Sequence, residues 1–273
     1  MSRLAVVGLT ARDTVDGGTP TTGGAPYYAA QALREVRARA RLVTKLAACD
    51  VALLEPIESL GELVWRPASD TAAYVLSHDA ETAERTVLLE SLGEPWTAHE
   101  VESWVLPELA GIAVVHAGAL CRADFPAETL ALLARGRRLS LDGQGLVRPA
   151  RLGPLTMERP QSLDVLDHVE VLKLSLEEAA VLGVEPTAAS LAALGIPEVV
   201  LTAGPRGAWI YARGALVEVT ADTVPVRDTT GAGDGFIACY LHARLDGASG
   251  ADAGTLAARA VAQMLRRRLP TAP

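Results

Sequence analysis

Lysine is almost absent from this chain. Only Lys45 and Lys173 occur, and arginine supplies the rest of the 25 basic residues. Acidic residues number 33, so the net charge is −8. A nucleic-acid backbone calls for a basic face, and this balance excludes nucleic acid as a partner. Cysteine is scarce as well. Cys49, Cys121 and Cys239 are far apart and form no CxxC pair, so neither a disulfide framework nor a zinc site is indicated. Each reads as a small buried apolar residue. Aromatic residues make up 4% of the chain. No apolar run approaches the roughly 20 residues of a membrane span, which excludes the membrane. No basic n-region precedes Leu4–Gly8, so the expected setting is reducing and cytoplasmic. Three missing motifs narrow the chemistry. No Gly-x-x-x-x-Gly-Lys-Ser/Thr occurs, which rules out a P-loop enzyme. No Gly-x-Gly-x-x-Gly follows the first strand, which weakens a dinucleotide oxidoreductase, and no Gly-x-Ser-x-Gly elbow supports an α/β-hydrolase.

What is present is an alternating pattern. With 273 residues and 49% hydrophobic composition, the chain can bury one large α/β domain. Arg3 to Gly8 reads as a buried strand ending in glycine. Leu9 to Gly24 is polar and reads as loop or edge structure. Ala29, Ala32, Leu33 and Val36 fall on one helical face within Ala25 to Ala40, and Arg41 to Thr44 follows as a strand. Between Leu60 and Glu94 the rhythm changes. Leu63–Trp65, Ala72–Leu76 and Arg85–Leu89 are short extended runs, read as antiparallel strands inserted into the α/β pattern, with 79–84 as a turn between two of them. From Gly111 the rhythm returns, with strands at Ile112–His116, Leu139–Asp142, Val169–Leu172 and Val199–Thr202. Helical runs at Glu128–Arg135, Glu177–Leu182 and Ala188–Leu194 separate them. This predicts a mostly parallel sheet covered on both faces. Gly254 to Leu269 reads as a last helix ending at Pro270, with Arg266-Arg-Arg268 complementing its dipole.

The most informative stretch is Asp228-Thr-Thr-Gly231-Ala-Gly-Asp234-Gly-Phe236. Three glycines within five residues allow a sharp turn and a close approach of backbone to ligand. A turn of this kind opening a helix presents unpartnered N–H groups and the positive end of the dipole to an anion. A βα turn with a capping aspartate would account for a Gly-Ala-Gly turn by itself. The whole string is more specific, and it resembles the C-terminal signature of the PfkB/ribokinase family of small-molecule kinases. The resemblance implies a ribokinase-like α/β fold in one domain over 1–273, with a small β-lid from roughly 9–22 and 60–98. It implies transfer of the γ-phosphoryl group of ATP to a hydroxyl, with Asp234 as base and the amides of Gly231, Ala232 and Gly233 as an anion hole.

Other segments carry the resemblance further. Gly23-Gly24-Ala-Pro-Tyr-Tyr28 is similar to the family's N-terminal Gly-Gly segment, which implies an acceptor site with Asp13 against substrate hydroxyls. Tyr28 stands where relatives often carry Asn. Lys173-Leu-Ser175-Leu-Glu-Glu178 resembles an Asn-x-x-Glu element with Ser175 in place of Asn, implying that Glu178 organises Mg²⁺. The same residues also read as a helix cap with an acidic first turn. Thr202-Ala-Gly204-Pro-Arg-Gly207 resembles the nucleotide-loop segment, and an ordinary hairpin is the plainer reading. Asp142 ends a strand and would face phosphates or acceptor. Asp228 and Thr230 are implied to hold a monovalent cation such as K⁺. The helix dipole is expected to lower the Asp234 pKa. The expected acceptor is a sugar or polyol, with a nucleoside as alternative. A catalytically silent sugar- or nucleotide-binding regulatory protein is a further reading. A monomer and a homodimer paired through its lids both fit the pattern.

Overall fold

The structure is a computed structural model, and it describes residues 2–78, 85–226 and 228–269. The turn expected over 79–84, the helix stop at Pro270 and the single residue Arg227 lie outside the described residues.

Two sheets organise the described residues. The strands in chain order are β1 (Leu4–Gly8), β2 (Ala11–Val15), β3 (Thr21–Gly23), β4 (Arg41–Ala47), β5 (Glu62–Ala68), β6 (Ala72–His78) and β7 (Arg85–Ser91). They continue with β8 (Val114–Gly118), β9 (Arg138–Asp142), β10 (Gly153–Pro154), β11 (Val171–Ser175), β12 (Glu198–Thr202), β13 (Ala208–Ala212) and β14 (Ala215–Val219). The large sheet has the order β14-β13-β12-β11-β9-β8-β1-β4-β5. It is parallel from β5 to β12, and the β13–β14 hairpin extends it antiparallel. The second sheet has the order β10-β7-β6-β2-β3.

The helices that matter here are α1 (Ala25–Glu35), α2 (Ala127–Ala134), α3 (Gln144–Val147), α4 (Leu176–Leu182), α5 (Ala188–Ala192), α6 (Ala232–Leu245) and α7 (Gly250–Arg266). Alternation along β1 divides the core between the two faces of the large sheet. Leu4 and Val6 join the cluster under α1, α6 and α7, whereas Ala5 and Val7 join the one under α2, α4 and α5. Helix α6 is buried from Gly235 to Leu241, which fits its nearly uniform apolar sequence and a place between α1 and α7. Among the described residues, no helix is long and apolar enough to cross a membrane.

Three segments differ from the sequence reading. Glu62–Ala68, grouped by pattern with the insert, instead pairs parallel with β4 at the edge of the large sheet. A half-buried edge strand has the same alternation whichever way it runs, so pattern could not assign its partner. Leu9 to Gly24 contains two strands, β2 and β3, built from a Thr-rich run whose β-branched residues suit a sheet. The short β10 leaves the chain between two large-sheet strands and joins β7.

Lys45 anchors the return from the small sheet to the large one. Its ammonium is 1% exposed, 3.1 Å from Glu94 Oε1, 2.6 Å from Glu100 Oε1, and donates to Pro95 O at 2.9 Å. The Trp96 ring centroid lies 5.1 Å away. Both glutamates reach solvent, so removal of the ammonium leaves them hydrated rather than stranded. We expect Lys45→Met to lower unfolding stability by about 2 kcal/mol, read as a lower urea midpoint at unchanged slope.

Candidate active site

The C-terminal ends of the parallel strands meet at one edge, where ligands collect in folds of this type. Register does the first part of the assembly. Lys173 of β11 pairs with Asp142 of β9, and Ser175 of β11 pairs with Thr202 of β12. Val171 packs under α6, and two residues on Lys173 points to the same side. Its Nζ lies 3.3 Å from Asp142 Oδ2 and 3.9 Å from Glu178 Oε2. All three side chains are buried. Burial pulls the Lys173 pKa down, but Asp142, Glu178 and Asp234 outweigh it and hold the ammonium above its ordinary value.

Glu178 is fixed by a reciprocal cap. Ser175 Oγ accepts from Glu178 N–H at 3.2 Å, and Glu178 Oε2 accepts from Ser175 N–H at 2.8 Å. Burial raises the Glu178 pKa, with Lys173 opposing. The helix cap read from the sequence is therefore present.

Helix α6 begins at the glycine turn. Gly231 is its N-cap, at φ 75°, and a Cβ there would lie 2.0 Å from Cγ of Tyr28. Only glycine accepts both that conformation and that neighbour. A Cβ on Gly233 would stand 2.8 Å from Lys173 Nζ, so the ammonium lies against the first turn of the helix. The amide of Ala232 donates to Thr229 O at 3.1 Å. Of the three amides assigned to the anion hole, that one already has a partner.

Asp234 stands half-buried in the same turn. Burial, and then the Asp142 charge, push its carboxyl up to about 7, against the pull of Lys173 and Arg148. This reverses the expectation from the helix dipole. The dipole acts locally, whereas burial and Asp142 come from tertiary packing.

These groups share a cavity of about 600 Å³ between the strand ends and the small sheet. On the small-sheet side it is lined by Asp13, Tyr28, Tyr74, Leu76 and Arg85. Tyr28 donates to Asp13 Oδ2 at 2.8 Å, and burial raises the Asp13 pKa. Gly23 packs directly against that carboxylate, and Gly24 caps α1 at φ 92°. On the other side the cavity reaches Thr202, Gly204 and Gly207, then an apolar cleft of Val224, Val226, Ala258, Val261 and Leu265. The Gly204–Gly207 segment is the turn of the β12–β13 hairpin. Asp142 lies beneath the lining, with Oδ1 accepting from Gln144 N–H at 3.0 Å.

Asp228 and Thr230 form a local turn. Asp228 Oδ1 accepts from Thr230 N–H at 2.9 Å and from its hydroxyl at 2.5 Å. Facing them is Arg268, which the sequence reading assigned to the helix dipole. It lies two residues past the end of α7, where the chain turns back toward Thr230. Arg148 also lines the cavity beside Asp234, at the end of the segment that begins with Asp142.

Among the described residues no group of three His, Cys, Asp or Glu stands ready to hold a metal alone. The donor set nevertheless fits Mg²⁺, which takes few protein ligands and keeps waters and phosphate oxygens. Glu178 and Asp234 both line the cavity, and Lys173, already paired with buried Asp142 at 3.3 Å, does not offset all three acids. The raised pKa of Asp234 has a consequence for stability. A carboxyl raised from 3.8 to about 7 favours folding fully below 3.8, and that contribution is lost as pH rises through 7. Asp234→Asn should therefore match wild type in Tm under acidic conditions and exceed it by roughly 10 °C under alkaline ones.

Comparison with known proteins agrees with this geometry. A pyrophosphate-dependent kinase of the ribokinase family, solved with a pyrophosphate analogue and myo-inositol, superposes with a TM-score of 0.80 at 20% identity, covering 97% of this chain and 95% of that one. A ribokinase from Thermotoga maritima gives a TM-score of 0.72 at 19% identity over 98% and 94%. A Burkholderia thailandensis nucleoside kinase, solved with inosine, gives 0.71 at 18% over 97% and 91%. These similarities establish a ribokinase-like fold. The model of the pfkB family carbohydrate kinases matches residues 64–273. That match spans the strand ends, the Lys173 cluster and the glycine turn, and by it the chain belongs to the pfkB family of carbohydrate kinases, phosphotransferases that act on hydroxyl groups.

Proposed function

We propose that this kinase moves the γ-phosphoryl group of ATP to a hydroxyl of a sugar or polyol. The observation that carries the reading is Asp234, a carboxyl brought to about 7 at the head of α6, in one cavity with Asp13. A base near neutrality can take a hydroxyl proton without being permanently protonated.

The roles follow from position. Asp13, steadied by Tyr28, accepts hydrogen bonds from acceptor hydroxyls, a task a carboxylate performs for a vicinal pair. Asp234 takes the proton of the attacking hydroxyl. The turn from Gly231 to Gly233 and the Lys173 ammonium behind it stabilise charge on the group in transfer. Thr202, Gly204 and Gly207 line the donor side, with Ser175 capping the helix that presents Glu178. Asp142 holds Lys173. Mg²⁺ bound to the donor phosphates, with Glu178 and its waters nearby, would neutralise charge on the phosphate oxygens. The small sheet covers the acceptor and keeps water from it.

The choice of ATP rests on the cleft lined by Val224, Val226, Ala258, Val261 and Leu265. Pyrophosphate has no part that could fill an apolar cleft, whereas a nucleobase does. The choice of a sugar or polyol over a nucleoside rests on Tyr28. Its ring is packed against Gly231 and Arg268 and its hydroxyl is spent on Asp13, so it is not free to stack on a base. A silent binding protein would not need a carboxyl held near neutrality inside its pocket.

The test is donor-product release across sugars, inositols and nucleosides, with ATP and with pyrophosphate. We expect acceptor-dependent ADP release, with pyrophosphate inert. Asp234→Asn should lose about 10²–10⁴-fold in kcat while ATP binding changes little. Because the base must be ionised, kcat/KM should fall as pH drops through about 7. ATP binding without turnover on any acceptor would instead support the silent binding protein.

A further inference from the structure

Asp228 and Thr230 match positions that, by resemblance, hold a monovalent cation. In this structure a side chain stands there. Arg268 Nη1 donates to Thr230 O at 2.8 Å and lies 3.8 Å from Asp228 Oδ2. The guanidinium carbon is 5.5 Å from the Tyr28 ring centroid, and Nη2 reaches Gln31 Oε1 at 3.4 Å. A carbonyl, a carboxylate, an aromatic ring and an amide oxygen thus surround one charge. All four attract a cation, and a guanidinium can meet several of them at once through its planar fork of donors.

The remaining donors are spent. Asp228 Oδ1 already accepts twice from Thr230. Burial alone would push the Asp228 carboxyl up, but the Thr230 bonds and Arg268 hold it below its ordinary range. A metal ion beside these oxygens would meet the guanidinium, and like charges at that distance repel. The residues present do not fit a monovalent ion while Arg268 is in place.

We propose that Arg268 is a built-in cation that takes the place of a monovalent metal ion at Asp228 and Thr230, so that this kinase works without such an ion. Arg268 is a positioning residue. It touches no reacting atom, and acts through the Thr230 carbonyl on the turn that opens α6. One residue before Thr230, Thr229 O takes the Ala232 amide, and one residue after it Gly231 caps the helix against Tyr28. A charge fixed on Thr230 O therefore sets the orientation of the peptides leading to the anion site. A tethered guanidinium fills the position at every salt composition, whereas a diffusible ion fills it by mass action.

The inference rests on the kinase reading, so its test has two readouts. The first needs no substrate. Thermal unfolding of wild type and Arg268→Ala is followed in potassium chloride and in tetramethylammonium chloride at equal ionic strength. Wild type should show the same Tm in both. Arg268→Ala should gain about 2 °C or more in potassium, because the vacated oxygens then bind the ion. No potassium response in the variant, or an equal response in both proteins, overturns the proposal. The second readout is phosphoryl transfer to the acceptor identified by the panel. Wild type should turn over equally in the two salts. Arg268→Ala should lose about tenfold in kcat in tetramethylammonium and recover most of it with potassium or dilute guanidinium. Faster turnover of wild type in potassium overturns the proposal even if Arg268→Ala folds poorly. Absence of transfer from wild type with every acceptor counts against the kinase reading, and the thermal readout still decides the role of Arg268.

Discussion

One ammonium stands among three carboxylates, and the rest of the site depends on that imbalance. Lys173 lies within 4 Å of Asp142 and Glu178, and its charge is felt by Asp234. In a buried cluster, one positive charge cannot keep three acids ionised. The deficit falls on the acids differently. Asp142 faces the ammonium directly along the strand register. Glu178 is tied to Ser175 by its cap. Asp234 has neither arrangement, and burial and then the Asp142 charge push its carboxyl up to about 7. The Asp234 carboxyl is thus tuned by burial first and by the surrounding charge second, rather than by any single contact. Close packing maintains both. A Cβ on Gly143 would lie 2.7 Å from Glu178 Oε2, and one on Gly233 would lie 2.8 Å from Lys173 Nζ, so the backbone closes on the cluster from both sides.

Tyr28 joins this cluster to the acceptor side. Its hydroxyl holds Asp13, its ring supports Gly231, and Arg268 lies over it. Asp13, Gly231 and Arg268 therefore bear on one side chain of α1. Displacement of the ring would disturb all three together. A residue with a smaller side chain, such as Asn, could not span them. The large ring and Arg268 form a matched pair, in which the ring provides the face on which the guanidinium rests.

The fold was largely legible because its signals are local. A buried β-branched run, a helical stripe and a glycine turn each declare themselves within about a dozen residues. Partner choice is not local. The strand Glu62–Ala68 shows the alternation of any half-exposed strand, and only the fold places it beside β4. The site divides in the same way. Asp234, Glu178 and the glycine turn stood out because their spacing is fixed by one turn of chain. The direction of the Asp234 shift did not, since the dominant causes are burial and Asp142, 92 residues away in sequence. Arg268 was hidden by its neighbours. Three consecutive arginines at a helix end satisfy the dipole on composition alone, and only the fold shows which of them reaches Thr230 O.

The small sheet gains a second role from this electrostatics. Tyr74, Leu76 and Val87 turn a largely apolar surface toward the cavity, and burial raises the Tyr74 pKa too. Water admitted there would raise the local dielectric and solvate the carboxylates. Asp234 would fall back toward its ordinary value of 3.8 and become a weaker base. A dry roof therefore does more than keep water from competing with the acceptor. It would sustain the raised Asp234 pKa on which the proposed part of that residue as a base depends. On the proposed function, acceptor binding and the strength of Asp234 as a base would be linked through the same surface, so an acceptor that seats the roof well would also meet the stronger base.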